Sequence, residues 1–269
     1  MDHPLTSREF NENLKQLPGV VRRRRPLVHC ITNQVAANFT ANVLLALGAS
    51  PAMVRAPEEV EEFVPRADAL LSNLGTLDAV QALAVERAVA AAGRVGKPWV
   101  LDPITAGLSF RLECVRRLMT HRPAAIRGNA SEILALAAVI DERPVDPAAL
   151  RGVDSTERPE HAVDAAKALA RQAGVATAVS GAVNYVTDGE RLLEIPGGHP
   201  VMEQVSGVGC ALNAVIAACV TVADSPFDAL AAGLKIFSVA GAAAGKTAPG
   251  PGSFSALFLD YLSTLDTLP

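Results

Sequence analysis

Aromatic residues make up only 4% of this 269-residue chain, with a single Trp and two Tyr. That scarcity argues against stacking platforms for nucleic-acid bases and leaves Ala, Val and Leu to build the core. Charge is also sparse, at 19% Asp, Glu, Lys and Arg, and the formal net charge is −4. A general nucleic-acid binder normally carries a basic footprint. The one basic run, RRRR at 22–25, reads as a solvated helix end or turn before a strand. The four cysteines (Cys30, Cys114, Cys210, Cys219) include no CxxC pair, which excludes the usual zinc spacing and gives no disulfide framework. The opening MDHPLTSREFNENLKQLP is polar and mixed in charge, without an apolar segment of signal-peptide type. A cytoplasmic, reducing setting is therefore expected. Residues 205–223 carry no charge and are long enough to raise the question of a membrane span. Gly207 and Gly209 break its start and Pro226 follows closely, so a buried helix is expected, with no membrane partner.

What the chain does have is half hydrophobic residues and a repeated alternation of short apolar runs with helix-like segments. PLVHCIT (26–32), ALLSNLG (69–75), PWVLDPI (98–104), PAAIRGN (123–129) and VATAVSG (175–181) read as strands. Helices are expected over 33–48, from the acidic start PEEVEEFV, through about Ala92, from ASEILALAA, and over 161–173. NYVTDGERLLEI reads as a hairpin around Asp188-Gly189, and two or three helices fill the C-terminal part. The charged, proline-bearing region 141–160 is expected to be a surface excursion. There is no internal repeat and no linker, so residues 1–269 are expected to form one domain. The alternation predicts an α/β fold with a mainly parallel sheet and helices on both faces. Ligands in such sheets bind outside the carboxyl ends of the strands. The residues following the predicted strands are Thr32-Asn33, Asn73 to Gly75, Asp102-Pro103, Arg127-Gly128-Asn129 and Ser180-Gly181, all polar or glycine-bearing.

Several of these invite chemistry, each beside a plainer reading. In SGVGC (206–210) the glycines allow close approach of a ligand to the backbone, and the helix behind them offers unpaired N–H groups to an anion. A helix N-terminus is also expected to lower the Cys210 thiol pKa, although most free cysteines are small buried hydrophobes. A covalent nucleophile would need a base, and the histidines at 3, 29, 121, 161 and 199 are scattered, which leaves a Cys hydrolase open. Asn129 and Glu132 have the spacing of a helix capping box. They could also face Mg²⁺, with Arg127 offered to an ATP phosphate and Asp102 helping to hold the same metal. Pro249-Gly-Pro-Gly-Ser253 is most simply a turn and helix cap.

Taken together, PLVHCITNQVAANFTANVLLALGASPAM (26–53), LDP (101–103), AAIRGNASEI (124–133), GHP (198–200), SGVGC (206–210) and GPGSF (250–254) resemble the hydroxyethylthiazole kinase family. This is the thiamine-salvage branch of the ribokinase-like superfamily. The resemblance implies a ribokinase-like fold, a homotrimer with active sites between subunits, and Mg²⁺-dependent phosphoryl transfer from ATP to the hydroxyl of 5-(2-hydroxyethyl)-4-methylthiazole. By position it implies substrate contacts at Met53, Gly207 and Asn33, ATP contacts at Arg127, Ser180 and Asn129, and metal-associated acids at Asp102 and Glu132. It also implies that Gly207, Val208 and Gly209 lend backbone N–H groups to the γ-phosphate. Cys210 stands where most kinases of the superfamily have an Asp base, and is expected to assist as a proton acceptor without being essential. Ser180 where Thr is usual, and LDPITAG where LDPVGAG is usual, are departures from the pattern. A hydroxymethylpyrimidine kinase or an ATP-dependent NAD(P)H-hydrate dehydratase of the same fold is the alternative, followed by a non-catalytic binding trimer.

Overall fold

The structure is a computed structural model that describes residues 12–104, 108–141 and 158–269. Its strands are β1 (Leu27–Ile31), β2 (Ser50–Ala52), β3 (Ala69–Asn73), β4 (Trp99–Asp102), β5 (Ala125–Asn129), β6 (Ala176–Ser180), β7 (Val183–Thr187) and β8 (Leu192–Pro196). The N-terminal helices are α1 (Glu12–Lys15), α2 (Leu17–Arg24), α3 (Ala37–Leu47), α4 (Val60–Phe63) and α5 (Ala79–Val95). Then come α6 (Ser109–Met119), α7 (Ala130–Ile140), α8 (Val163–Ala173), α9 (Val208–Cys219), α10 (Pro226–Thr247) and α11 (Pro251–Thr264).

All eight strands form one sheet, in the order β2-β1-β3-β4-β5-β6-β7-β8. Pairing is parallel from β2 through β6 and antiparallel for β6–β7 and β7–β8. This is the mainly parallel α/β architecture that the strand–helix alternation implied. Side chains alternate along each strand, so each strand feeds both faces. Val28, Leu71, Val100, Ala125 and Ala178 pack with α2, α3, α9, α10 and α11. Ile31, Leu70, Leu101, Ile126 and Val179 pack with α5, α6, α7 and α8.

The alanine-rich composition lets helices lie close. Residues 211–219 of α9 are all buried, which answers the membrane question raised by 205–223. At the α9–α10 crossing a Cβ on Gly233 would lie 2.7 Å from Ile216 Cγ1, so only glycine fits there without a shift. The helix whose length and composition would suit a membrane is instead α10, with 22 residues, and 72% of its most apolar window is buried inside the fold.

Other differences from the sequence reading have local causes. Helix α3 starts at Ala37 rather than at 33, because Asn33 Oδ1 accepts from the Ala36 N–H at 2.9 Å and turns the chain first. Edge strand β2 was not foreseen; it has three residues and contains Pro51, which an edge tolerates because it needs no donor on its open side. Helix α6 was also not foreseen. The hairpin lies where expected, with Asp188 Oδ1 accepting from the Glu190 and Arg191 N–H groups. Most of the excursion predicted at 141–160 falls outside the described residues.

Four of the few aromatics form one cluster. Phe258 on α11 meets Phe39, Phe237 and Phe254 at centroid distances of 6.3, 4.9 and 5.7 Å, and so fastens α3, α10 and α11 together. Phe258→Ala is expected to lower stability by about 3–5 kcal/mol, as for other large-to-small core changes. Equilibrium denaturation with urea measures this directly.

Candidate active site

The site follows from strand parity. Leu71, Val100, Ala125 and Ala178 face the α9 layer, so the residues two positions on, Asn73, Asp102, Arg127 and Ser180, face it as well. Register aligns them at one edge: Asn73 pairs with Asp102 across β3–β4, and Asn129 pairs with Ser180 across β5–β6.

A chain of side-chain hydrogen bonds crosses this edge. Asn33 Nδ2 donates to Asn73 Oδ1 at 3.0 Å and lies 3.2 Å from Cys210 Sγ. Asn73 Nδ2 donates to Asp102 Oδ2. Asn73 Oδ1 also accepts from the Gly75 N–H at 2.9 Å, and the Asn73 carbonyl accepts from Gln81 Nε2 at 3.0 Å. Asn73 is thus the hub between the thiol side and the carboxylate side. Sequence reading placed it at the ligand edge but gave it no role; its only signal was a polar residue closing a wholly buried strand.

The other half of the site surrounds the start of α9. Gly207 has φ +86°, and a Cβ there would lie 3.2 Å from Ala36 Cα, so position 207 is suited to glycine on both counts. The N–H groups of Val208, Gly209 and Cys210 belong to the first turn of α9, where a helix offers donors and positive potential. Arg127 Nη1 donates to the Gly209 carbonyl at 3.1 Å, and Arg127 Nη2 donates to Ser180 Oγ. Ser180 Oγ in turn donates to the Gly128 carbonyl at 3.2 Å. Asn129 and Glu132 form the expected capping box: Asn129 Oδ1 accepts from the Glu132 N–H at 2.9 Å, and Glu132 Oε2 accepts from the Asn129 N–H at 2.8 Å. Met53 follows β2 and packs, half-buried, against the α3–α9 layer, without a hydrogen bond into this network. Residues 105–107 of LDPITAG lie outside the described residues.

Electrostatics correct one expectation. The Cys210 thiol is pushed up to about 12, first by burial and then by the nearby Asp102 carboxylate. Hydrogen bonding from Asn73 and Asn33 and the charge of Arg127 oppose this without reversing it. The local rule for helix N-termini gave the wrong sign because burial and a neighbouring acid outweigh the dipole. A neutral thiol partnered by an amide is not an activated nucleophile, and no described histidine is hydrogen-bonded to it, so the Cys hydrolase reading falls. Asp102 is raised to about 7, chiefly by burial and then by Glu132, with Arg127, Asn213 and Asn73 opposing.

Among the described residues no group of three or more His, Cys, Asp or Glu could cage a metal. Two acids that feel each other, Asp102 and Glu132, suit a hard cation that draws its remaining ligands from phosphates and water. The donor set could thus contribute to holding a hard cation only with further ligands from elsewhere.

Comparison with known proteins identifies the family and the fold. The model of the hydroxyethylthiazole kinase family matches residues 19–267. The chain belongs to this family. The hydroxyethylthiazole kinase of Granulibacter bethesdensis is 48% identical over 267 residues, covering 99% of this chain and 95% of that relative. A solved hydroxyethylthiazole kinase structure from Pyrococcus horikoshii superposes with a TM-score of 0.85 at 37% identity, covering 94% and 93% of the two chains. A ribokinase-like superfamily protein from Enterococcus faecalis shares the fold, with a TM-score of 0.63 at 14% identity over 91% and 89% of the chains. As a member of the hydroxyethylthiazole kinase family the chain is an enzyme, a phosphotransferase.

The burial of Asp102 has a measurable consequence in the metal-free protein. Its folded-state value is raised from 3.8 to about 7, so the proton it holds stabilises the fold fully below about pH 3.8 and this contribution is lost by about pH 7. Asp102→Asn is expected to flatten that part of the stability–pH curve and to raise Tm above pH 7 while abolishing turnover. Thermal melts across pH 4–8 in EDTA, alongside an activity assay, check all three.

Proposed function

We propose that this enzyme transfers the γ-phosphoryl group of ATP to the hydroxyl of 5-(2-hydroxyethyl)-4-methylthiazole, giving the thiazole phosphate and ADP in thiamine salvage. The supporting observation is the side-chain chain from Asn33 through Asn73 to Asp102, with Cys210 and the start of α9 beside it, in a member of the hydroxyethylthiazole kinase family.

In this reading the N–H groups of Val208, Gly209 and Cys210, following Gly207, hold the phosphoryl group being transferred, and Arg127 adds a guanidinium. Ser180 and Asn129 line the ATP side, while Met53, Asn33 and Gly207 bound the thiazole. Asp102 and Glu132 face the cation. Mg²⁺, held by Asp102 and Glu132 when bound with ATP, would supply positive charge that stabilises the phosphates during transfer.

The substrate oxygen forms the new bond to phosphorus as the bond to the ADP oxygen breaks, and the hydroxyl proton passes late to an oxygen of the transferred phosphoryl group. The transition state is loose, so catalysis comes mainly from positioning and charge stabilisation. A neutral Cys210 thiol is therefore adequate. Asn33 fixes its sulfur, and the thiol orients the hydroxyl as a weak acceptor rather than removing the proton as a strong base.

The same proposal includes one domain, a homotrimer, a cytoplasmic setting, and no nucleic-acid or membrane partner. Four free cysteines fit a reducing compartment. Exposed Val35, Val80 and Leu83, on the segments that leave β1 and β3 at the site edge, fit a neighbouring subunit closing the pocket.

An ADP-release assay with ATP and Mg²⁺, run separately with hydroxyethylthiazole and hydroxymethylpyrimidine, tests the substrate. Turnover with the thiazole alone is expected; turnover with the pyrimidine alone overturns the proposal. Cys210→Ala and Cys210→Ser are both expected to retain measurable turnover. Loss of all activity in both, with ATP binding and Tm intact, shows that the thiol is indispensable and that positioning alone is insufficient.

A further inference from the structure

Asn213 stands on the buried side of α9, three residues after Cys210, in the otherwise apolar stretch ALNAVIAAC. It is wholly buried; its carbonyl oxygen has no hydrogen-bond partner, and its amide nitrogen has only a loose approach to the Asp102 carboxylate. An unsatisfied buried polar group costs about 1–3 kcal/mol, and the carbonyl oxygen here is one. The apolar pattern of the helix would accept Leu or Ala there without that cost.

Its location suggests why an amide is present. The spacing of three puts Asn213 on the same helix face as the Cys210 thiol. Helix α9 packs over β3 and β4, and strand parity turns Asp102 toward that helix. Asn73 donates to Asp102 Oδ2 from the neighbouring strand. The Asn213 amide is close enough to the carboxylate to counter part of the upward push that burial exerts on it.

We propose that Asn213 is a positioning residue whose amide N–H steers the Asp102 carboxylate into the single orientation that meets the nucleotide-borne cation. Asn73 approaches the carboxylate from the sheet and Asn213 from the overlying helix, so the acid is directed without spending a charged partner on it. Partners that orient a metal-facing carboxylate typically contribute about 10–100-fold in metal affinity. The inference rests on the reading of Asp102 as a metal-associated acid.

The test measures Mn²⁺ binding to the full chain at saturating ADP, by water-proton relaxation enhancement, together with Tm, for Asp102→Asn, Asn213→Leu and Asn213→Ser. Asn213→Leu is expected to weaken Mn²⁺ by roughly tenfold or more without lowering Tm, because it has similar volume and removes the unpartnered buried carbonyl oxygen. Asn213→Ser, which keeps a donor and leaves room for a bridging water, is expected to retain more affinity than Asn213→Leu. Wild-type Mn²⁺ affinity in Asn213→Leu overturns the proposal, as does equal weakening in the Leu and Ser variants, which would mark lost packing. A lower Tm with unchanged affinity assigns the amide to the fold alone and also overturns it. Wild-type affinity in Asp102→Asn instead removes the reading of Asp102 on which the inference stands.

Discussion

A carboxylate buried at the end of a central parallel strand is the constraint around which this site is arranged. Asp102 closes β4, only 1% exposed, with Glu132 near enough to raise its pKa further. Burying a charge is unfavourable unless hydrogen bonds and opposite charge accompany it. The neighbouring elements supply both. Asn73 donates from β3, Asn213 lies on the helix above, and Arg127 adds positive charge from β5. Even so the acid remains raised to about 7. The remaining imbalance is the property expected of a group that a divalent cation completes.

The neutral thiol next to it follows from the same constraint. Two carboxylates sharing a site raise each other's pKa, so an Asp at position 210 would add a like charge beside Asp102. Cys210 avoids that pairing; its own upward shift comes first from burial and then from the Asp102 carboxylate. A weak acceptor is compatible with phosphoryl transfer because the attacking oxygen need not be deprotonated in advance.

The scaffold beneath is built for close approach. Small side chains let α9 sink against the sheet and against α10, as the Gly233–Ile216 contact shows. Gly207 supplies a left-handed turn at the point where α9 must begin beside Ala36. Four phenylalanines, Phe39, Phe237, Phe254 and Phe258, gather around Phe258 and clamp the helices that back α9. Low aromatic content and a helix N-terminus held close to the strand ends are two aspects of one packing solution.

Much of this was legible along the chain. Five apolar runs marked β1 and β3 to β6, Asp188-Gly189 marked the hairpin, and the parallel arrangement predicted that the strand ends would converge. Those signals are local, because periodicity and turn chemistry act over a few residues. Short β2 and helix α6 gave too little pattern, and the turn held by Asn33 displaced the start of α3. Asn73 as a hub, Asn213 beside Asp102, and the upward shift of Cys210 arise only when strand register and helix docking set distances between residues far apart in sequence. The sequence by itself determined which residue types reach the ligand edge. Tertiary structure decided their partners and protonation, because desolvation and Coulomb interactions depend on burial and distance, which no local pattern carries.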